Sequence, residues 1–332
     1  MISALIGFLL SNIVLNNFVP SSVAARADFL SSQEQGRVLG AFENINHLPA
    51  ATYNAFNPEN YLPNNEDKKY FPVKKSDTPL SVQASSSLVM DAATGEILWQ
   101  SGANDKRSIA SISKLMSTLV FLDGVPDWNK IYKLKKSDIR IGGRSYIYEG
   151  EEMTTGDLFH LSLVASDNTA VIALISSLGL SEDEFVVKMN QKAKEIGLKD
   201  TSFRDATGLS FYNVSTVKDI AILANKALVR KNIREAALKQ KYEFKTLAGR
   251  KVLAESTDDL LINFPKNGSS LIGGKTGYTY EAGYCFVGGF ENSDGRQIFA
   301  AVLGTPTSYA RFHEAKKIAD WAFANFEWKI AN

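Results

Sequence analysis

Short apolar segments near residue 90 predict the first strands of a folded domain. Residues 87–92 and 96–100 are joined by a tight turn at residues 93–95. This arrangement predicts an antiparallel hairpin. A helical period follows from residue 111, and its apolar positions are Ile112, Leu115, Met116, Leu119 and Val120. The hairpin is therefore predicted to lead directly into a helix.

Helical patterns fill the middle of the chain, and strand patterns return near its end. The predicted helices are residues 155–164 with Thr155 as N-cap, 170–178, 182–196, 217–228 and 309–326. The predicted strands after residue 241 include residues 272–279, 285–290 and 297–303. Helices and strands that occupy separate parts of a chain are typical of an α+β fold. We therefore predict a mainly antiparallel sheet flanked by helices, with an all-helical subdomain inserted after the hairpin.

The first 27 residues have the pattern of a targeting segment. Residues 1–25 carry no charged side chain, and residues 4–15 are an apolar block too short and too interrupted to span a bilayer comfortably. The small-x-small triplets at residues 22–24 and 25–27 offer cleavage sites for a secretory signal peptide. We expect a cleaved signal, with an uncleaved N-terminal anchor as the alternative. Either one predicts a location in the periplasm, in the cell wall or on the outer face of the cytoplasmic membrane.

Residues 28–82 have the composition of a linker or an extended arm. They hold five of the nine prolines of the chain, an Asn-rich stretch and no sustained hydrophobic period. The alternative is an arm that packs on the surface of the following domain. The side chains available for such packing are Tyr53, Phe56, Tyr61 and Phe71. The globular domain itself is predicted to occupy residues 83–332.

The composition limits the functions that the chain can have. A chain of 332 residues with 45% hydrophobic residues and a net charge of +1 is typical of a globular protein without the basic excess of nucleic-acid-binding proteins. The one cysteine, Cys285, excludes a disulfide within the chain and is predicted to be a buried thiol without a role. The three histidines lie far apart and lack ligand spacing. We therefore predict no metal, no cofactor and no nucleic-acid partner.

Ser111 and Lys114 place a hydroxyl and an amine three residues apart at the start of the first predicted helix. A serine hydroxyl needs an adjacent base to act as a nucleophile. A lysine can be that base when burial and neighbouring cations keep its amine neutral. The same spacing recurs at Ser215 and Lys218, where we predict only a helix N-cap and a solvated lysine.

Two further motifs support a catalytic interpretation of Ser111. Residues 166–168 (Ser-Asp-Asn) follow a predicted helix, and residues 275–277 (Lys-Thr-Gly) lie in a predicted strand. Three such motifs in this order are the set found in penicillin-binding proteins and class A β-lactamases. Residues 84–327 most resemble the family of low-molecular-weight D-alanyl-D-alanine carboxypeptidases and endopeptidases. The resemblance implies a β-lactamase/penicillin-binding-protein-like fold.

The resemblance also implies a role for each motif residue in cleaving the bond between two D-alanines. Ser111 is the implied nucleophile, Lys114 is its base, and Ser166 relays the proton toward the leaving amine. The implied substrate-binding residues are Asn168, Lys275, Thr276, Gly277 and Tyr278. Lys275 would also keep the Lys114 amine neutral by its charge. Backbone N–H groups of residues 111 and 278 would form the oxyanion hole.

The implied function is that of a serine-type D-Ala-D-Ala carboxypeptidase in cell wall remodelling. It would remove the terminal D-alanine of peptidoglycan stem peptides through an acyl-enzyme, and β-lactam antibiotics would inhibit it covalently. Any membrane association would come from the N-terminus. The main alternative is an endopeptidase of the same family, which cuts D-alanyl cross-links with the same residues. A class A-like β-lactamase needs a deacylating glutamate, for which Glu184 has the wrong spacing; a non-catalytic penicillin-binding protein is the last alternative.

Overall fold

The computed structural model describes residues 70–263 and 268–330, which all fall within one compact unit of residues 57–332. The strands are β1 (Tyr70–Lys74), β2 (Ser86–Asp91), β3 (Ile97–Ser101), β4 (Arg107–Ser108), β5 (Ile131–Lys133), β6 (Glu152–Thr154), β7 (Val214–Ser215), β8 (Lys241–Lys245), β9 (Lys251–Glu255), β10 (Ser269–Thr279), β11 (Gly283–Asn292), β12 (Gln297–Thr305) and β13 (Phe326–Ile330). The helices are α1 (Ser113–Asp123), α2 (Thr155–Val164), α3 (Asn168–Ser177), α4 (Glu182–Glu195), α5 (Val217–Leu228), α6 (Lys231–Ala237), α7 (Leu260–Asn263) and α8 (Ser308–Asn325). Short 3-10 turns lie at Ala110–Ile112 and Lys136–Asp138.

The main sheet is antiparallel throughout and has the strand order β10-β11-β12-β2-β3. Adjacent residues of a strand point to opposite sides of the sheet, and helices cover both of these sides. Leu88 belongs to the core on the side of α5, whereas its neighbour Val89 belongs to the core on the side of α8. The antiparallel sheet and the flanking helices confirm the predicted fold class.

Helix α1 is the centre of the helical part of the domain. Every residue from Ser113 to Leu122 is buried, since α2, α3, α4 and α5 all pack against this helix. A helix that is buried on all sides keeps its side chains in fixed positions. At its far end an aromatic cluster closes the core, with ring centroids of Phe121 and Trp128 at 6.2 Å and of Trp128 and Phe159 at 5.1 Å. Any side chain that α1 presents to a site is therefore held rigidly.

The helix boundaries agree with the sequence predictions to within one or two residues, with one correction. The N-cap of α2 is Thr154 and not Thr155: its hydroxyl accepts a hydrogen bond from the Asp157 N–H at 3.0 Å, and the Asp157 carboxylate accepts one from the Thr154 N–H at 3.1 Å. The sequence places two threonines together at this boundary. Only the first one has its partner three residues later, which is the spacing that a capping box requires.

Six strands of the domain were not predicted from the sequence, namely β1, β13 and the short strands β4, β5, β6 and β7. β1 pairs with β13 in antiparallel register, so that Tyr70 lies opposite Ile330 and Lys74 opposite Phe326. β1 lies within residues 28–82, the segment interpreted as a linker or a packed arm. Its packing comes from the buried ring of Pro72, whereas Phe71 stays exposed. The predicted signal segment, residues 28–69 of the predicted arm, residues 264–267 and residues 331–332 lie outside the described residues. Within the part described, no helix combines the length and the apolar character needed to cross a bilayer.

The stretch after β1 is fixed to α8 mainly through Asn325, which predicts a strong effect on stability. The Asn325 side-chain oxygen accepts hydrogen bonds from the Ser76 hydroxyl at 2.7 Å and the Thr78 N–H at 3.1 Å, and its amide donates to the Trp321 carbonyl at 2.9 Å. Because Asn325 is buried, we expect Asn325→Ala to lower the free energy of unfolding by about 2 kcal/mol. Urea denaturation measures this change.

The matched control for this prediction is Asn129→Ala, since the Asn129 side chain is exposed. We expect this control to change the free energy of unfolding by less than about 0.5 kcal/mol. Equal stability of the two variants would contradict the importance of the Asn325 contacts.

Candidate active site

The turn that carries Ser111 is held in an uncommon conformation. Ala110, immediately before it, has a φ of +48°, which costs a non-glycine residue about 1–2 kcal/mol. Strained backbone of this kind persists only where the surroundings impose it, and it is frequent at active sites. The result is that Ser111 lies in the 3-10 turn that directly precedes α1, with its side chain partly accessible.

Lys114 projects from the first turn of α1 and contacts three oxygen atoms. Its Nζ lies 2.9 Å from Ser111 Oγ, 2.6 Å from Asn168 Oδ1 and 2.7 Å from the Thr207 carbonyl oxygen. The side chain has no exposed surface. A neutral amine has two N–H donors and one lone pair. Since the amide oxygen and the carbonyl accept hydrogen bonds only, both N–H groups are used there, and the lone pair is left for the hydroxyl of Ser111.

Burial lowers the pKa of Lys114 to about 7, whereas the negative charges of Asp205 and Asp167 raise it by smaller amounts. The sequence predicted two causes for a neutral amine, burial and neighbouring cations such as Lys275. Of these, loss of hydration by burial is the largest cause of the lowered pKa. Near neutral pH a large share of Lys114 is therefore unprotonated and able to accept a proton.

The second motif lies on the loop between α2 and α3, opposite the turn of Ser111. Ser166 has a φ of +57° and is partly accessible. Lys275 of β10 donates a hydrogen bond to Ser166 Oγ at 2.8 Å and another to the Thr276 carbonyl at 3.0 Å. Burial, together with the charges of Lys114 and Arg311, lowers the pKa of Lys275 well below its ordinary value. Two hydroxyls and two buried amines therefore border the same site.

Asn168 uses both ends of its amide inside the protein. Its oxygen accepts from Lys114, and its Nδ2 donates to the Gly142 carbonyl at 2.9 Å. The loop at Gly142 is thereby tied to the base. Asp167, the middle residue of the motif, is the N-cap of α3 and accepts from the Ala170 N–H at 2.8 Å. Burial raises the pKa of Asp167.

β10 forms the other wall of the site and lies directly against the turn of Ser111. A Cβ on Gly277 would be 2.7 Å from the Ile109 carbonyl oxygen, so only glycine permits this approach. The Thr276 and Thr257 hydroxyls are 2.6 Å apart. Tyr278 is half exposed and stacks on Tyr284, with ring centroids 4.3 Å apart. Packing against the turn of Ser111 therefore requires a glycine at position 277, in addition to the substrate-binding role that the resemblance implies.

Two residues that border the site were not predicted from the sequence. The Thr207 carbonyl is the second acceptor for Lys114, and no sequence motif identifies a backbone oxygen as a contact. Arg311 of α8 is buried behind β10, where its Nη1 lies 3.5 Å from the Gly277 carbonyl and its guanidinium lies 5.6 Å from the centre of the Tyr284 ring. An arginine in an amphipathic helix gives no sequence signal, because most such arginines are solvated.

Outside this site, the other candidate residues have the environments that the sequence predicts. Cys285 is fully buried, and burial raises the pKa of its thiol to about 11. Lys218 of the second Ser-x-x-Lys spacing is exposed as predicted, but the N-cap of α5 is Thr216 and not Ser215, which lies in β7. Among the described residues, no group of three or more His, Cys, Asp and Glu side chains could hold a metal ion.

The lowered pKa of Lys114 predicts how acylation of the site depends on pH. The amine accepts a proton only when it is neutral, so the rate rises with pH and reaches half its maximum near pH 7. The second-order rate of labelling by a fluorescent penicillin, measured from pH 5 to pH 9, gives this midpoint. A rate that still rises about tenfold per pH unit up to pH 9, as a lysine with the ordinary pKa of 10.5 requires, would contradict a buried neutral base.

The site places a serine hydroxyl beside a buried lysine amine, which is the geometry of a nucleophile with its base. The sequence profile of the D-alanyl-D-alanine carboxypeptidase family matches residues 73–307. The chain belongs to this family.

Curated relatives with both activities of the family are similar to the chain. The D-alanyl-D-alanine carboxypeptidase DacF of Bacillus subtilis is 33% identical over 260 residues, which are 76% of this chain and 65% of the relative. A D-alanyl-D-alanine endopeptidase of Haemophilus influenzae is 31% identical over 220 residues, which are 63% of this chain and 71% of the relative. The chain thus spans somewhat less than two thirds of the carboxypeptidase.

A solved structure supports the fold independently. A penicillin-binding protein from Listeria monocytogenes, determined in an ampicillin-bound form, superposes with a TM-score of 0.64 at 31% identity. The match covers 74% of this chain and all of that structure. The likeness extends over the domain that contains the site.

Proposed function

We propose that this protein is a serine-type D-Ala-D-Ala carboxypeptidase that removes the terminal D-alanine of peptidoglycan stem peptides. One observation carries the proposal: the Lys114 amine lies 2.9 Å from Ser111 Oγ and has two other acceptors for its N–H groups, Asn168 Oδ1 and the Thr207 carbonyl, so that in its neutral form the lone pair is available to the hydroxyl. This is the arrangement of a nucleophile with its general base. The family to which the chain belongs supplies the substrate class.

In the acylation step, Ser111 Oγ attacks the carbonyl carbon between the two D-alanines, and its proton passes to Lys114 Nζ. The negative oxygen that forms would accept hydrogen bonds from the N–H groups of Ser111 and Tyr278. Each such donor contributes about 3 kcal/mol to transition-state stabilisation in other acyl-transfer enzymes. The amide C–N bond then breaks and leaves an ester on Ser111.

The leaving D-alanine requires a proton on its amine and a cation for its carboxylate. Ser166, whose Oγ accepts a hydrogen bond from Lys275 Nζ at 2.8 Å, would relay to the amine the proton that Lys114 took from Ser111, which leaves Lys114 neutral again. Lys275 and the Thr276 hydroxyl would bind the carboxylate. Arg311 behind β10 adds a second positive charge to this wall. A water molecule then cleaves the ester and regenerates Ser111.

The same ester chemistry accounts for β-lactams as covalent inhibitors in this proposal. A β-lactam presents a strained amide to Ser111 and a carboxylate to Lys275, and its leaving group stays attached to the acyl part. The ampicillin-bound structure of the Listeria monocytogenes protein supports this assignment. A substrate that is part of the cell wall also implies a site of action outside the cytoplasm.

A second candidate is an endopeptidase that hydrolyses D-alanyl cross-links. The endopeptidase of Haemophilus influenzae, 71% of whose length the chain covers, favours it. The reacting residues would be the same, because both activities break an amide bond that follows a D-alanine. They differ only in the amine that leaves.

Mass analysis of peptidoglycan fragments after incubation with the purified protein distinguishes the two. Pentapeptide monomers that lose one D-alanine support the carboxypeptidase, and we expect this result. Cross-linked dimers that fall to monomers, with pentapeptides unchanged, would replace it by the endopeptidase. If neither substrate changes, the proposed function is wrong.

A further inference from the structure

The loop of residues 205–210 is folded around a single carboxylate. Asp205 Oδ1 accepts hydrogen bonds from the Thr207 N–H at 2.6 Å, the Thr207 hydroxyl at 2.7 Å and the Gly208 N–H at 2.7 Å. It also lies 3.3 Å from the Leu209 nitrogen, and Oδ2 accepts from the Ser210 N–H at 2.5 Å. Every one of these groups donates a hydrogen bond to Asp205. Among side chains, only a carboxylate has two oxygens that both accept and no group that donates.

This loop touches the reacting residues at two points. The Thr207 carbonyl accepts the hydrogen bond of Lys114 at 2.7 Å. Gly208, with a φ of +89°, lies so close to the turn of the nucleophile that a Cβ would be 2.0 Å from the Ala110 oxygen and 2.8 Å from the Ser111 nitrogen. The loop therefore bounds the position of the nucleophile on one side and orients its base on the other.

Asn213 links the loop of residues 205–210 to the turn of Ser111 by hydrogen bonds. Its Nδ2 donates to the Asp205 carbonyl at 2.9 Å and to Ser113 Oγ at 3.0 Å. Ser113 Oγ in turn donates to the Ala110 carbonyl at 2.8 Å. The Asn213 carbonyl accepts from the Ile109 N–H at 3.1 Å. A shift of the loop would therefore be transmitted to the residues on both sides of Ser111.

The carboxylate also acts on Lys114 by its charge. Several groups face Lys114: Ser111 on its own segment, Asp167 and Asn168 at α3, Asp205 and the Thr207 carbonyl on the loop, and Lys275 on β10. Asp205 contributes the larger of the two effects that raise the pKa of Lys114 against burial. Without that charge, burial would lower the pKa of Lys114 further, because only the smaller effect of Asp167 would oppose it.

From these contacts we infer that Asp205 is a positioning residue for acylation, which acts through Thr207 on Lys114 and through Gly208 on Ser111. The inference rests on the proposed function only in that Ser111 and Lys114 carry out the acylation. It assigns a role to a loop carboxylate that does not itself touch the reacting atoms. The role is distinct from a purely structural one because it combines placement of the base with control of the pH at which the base works.

The test compares Asp205→Asn and Asp205→Ser with the control Asp183→Asn, a substitution of an exposed aspartate on α4. The second-order rate of labelling by a fluorescent penicillin is measured from pH 5 to pH 9, together with thermal unfolding. We expect both Asp205 variants to label at least about tenfold more slowly at their best pH. Their midpoint should move to lower pH, because a lost negative charge lowers the pKa of Lys114. The control should match the parent.

Two results would overturn the inference. One is a rate and a midpoint equal to those of the parent. The other is a lower rate at every pH with the midpoint unchanged, because a general loss of folded protein has that effect. Labelling by penicillin does not require D-alanine release. Failure of the proposed function is therefore separate: it would be a parent protein that is labelled normally but changes no peptidoglycan fragment.

Discussion

Lys114→Met removes the general base and lowers the rate of acylation by about 10²–10⁴-fold. Methionine has nearly the same length and fits the pocket, but it leaves Asn168 Oδ1 and the Thr207 carbonyl without their donor. The hydroxyl of Ser111 then has no group to accept its proton. The rate of labelling by a fluorescent penicillin measures the effect, and circular dichroism verifies that the variant is folded.

The matched control is Lys218→Met, which changes the lysine of the other Ser-x-x-Lys spacing. Lys218 is exposed on α5, so we expect its rate of acylation to equal that of the parent. The two variants remove the same functional group from the same sequence pattern. If Lys114→Met were acylated as fast as the control, Lys114 would not be the base.

Gly208→Ala is expected to damage both stability and activity, because the new Cβ would lie 2.0 Å from the Ala110 carbonyl oxygen. No side-chain rotation relieves a clash between two backbone segments. Overpacking and an alanine at a positive φ together lower the free energy of unfolding by about 3 kcal/mol. A displacement of Ser111 by about 1 Å lowers the rate of acylation by about 100-fold in the protein that remains folded.

Gly197→Ala separates the clash from the cost of the backbone conformation. Gly197 has a φ of +83°, close to that of Gly208, but nothing lies within 4 Å of a Cβ placed there. We expect it to lose only about 1 kcal/mol of stability and none of the acylation rate. Equal losses in the two variants, measured by urea denaturation and penicillin labelling, would show that Gly208 has no special contact with the turn of Ser111.

Much of the fold could be predicted because its elements have strong local signals. The hairpin around Gly95, the helices and the later strands each combine a clear hydrophobic period with turn or cap residues. The local sequence pattern was least informative for strands that form only by pairing with a distant segment. The sequence of β13 continues from α8 without a break, and β1 contains Pro72 at its centre, so neither resembles a strand until the other is present as its partner.

The motif residues could be identified from the sequence, but the reasons for their arrangement could not. Residues 111, 168 and 275 come from three elements that only tertiary structure brings together. The Asp205 loop shows why the remainder was missed: its contacts are almost all with backbone atoms, and backbone atoms carry no sequence signature. Burial, the largest cause of the lowered pKa of Lys114, is likewise a property of the folded chain.

The most direct test of the central claim is to locate the acyl group. The purified protein is incubated with benzylpenicillin, digested and analysed by tandem mass spectrometry, with Ser111→Ala treated in parallel. We expect one penicilloyl group, on Ser111, and none in the variant. An adduct on any other residue, or an adduct that persists in Ser111→Ala, would contradict the assignment of Ser111 as the nucleophile.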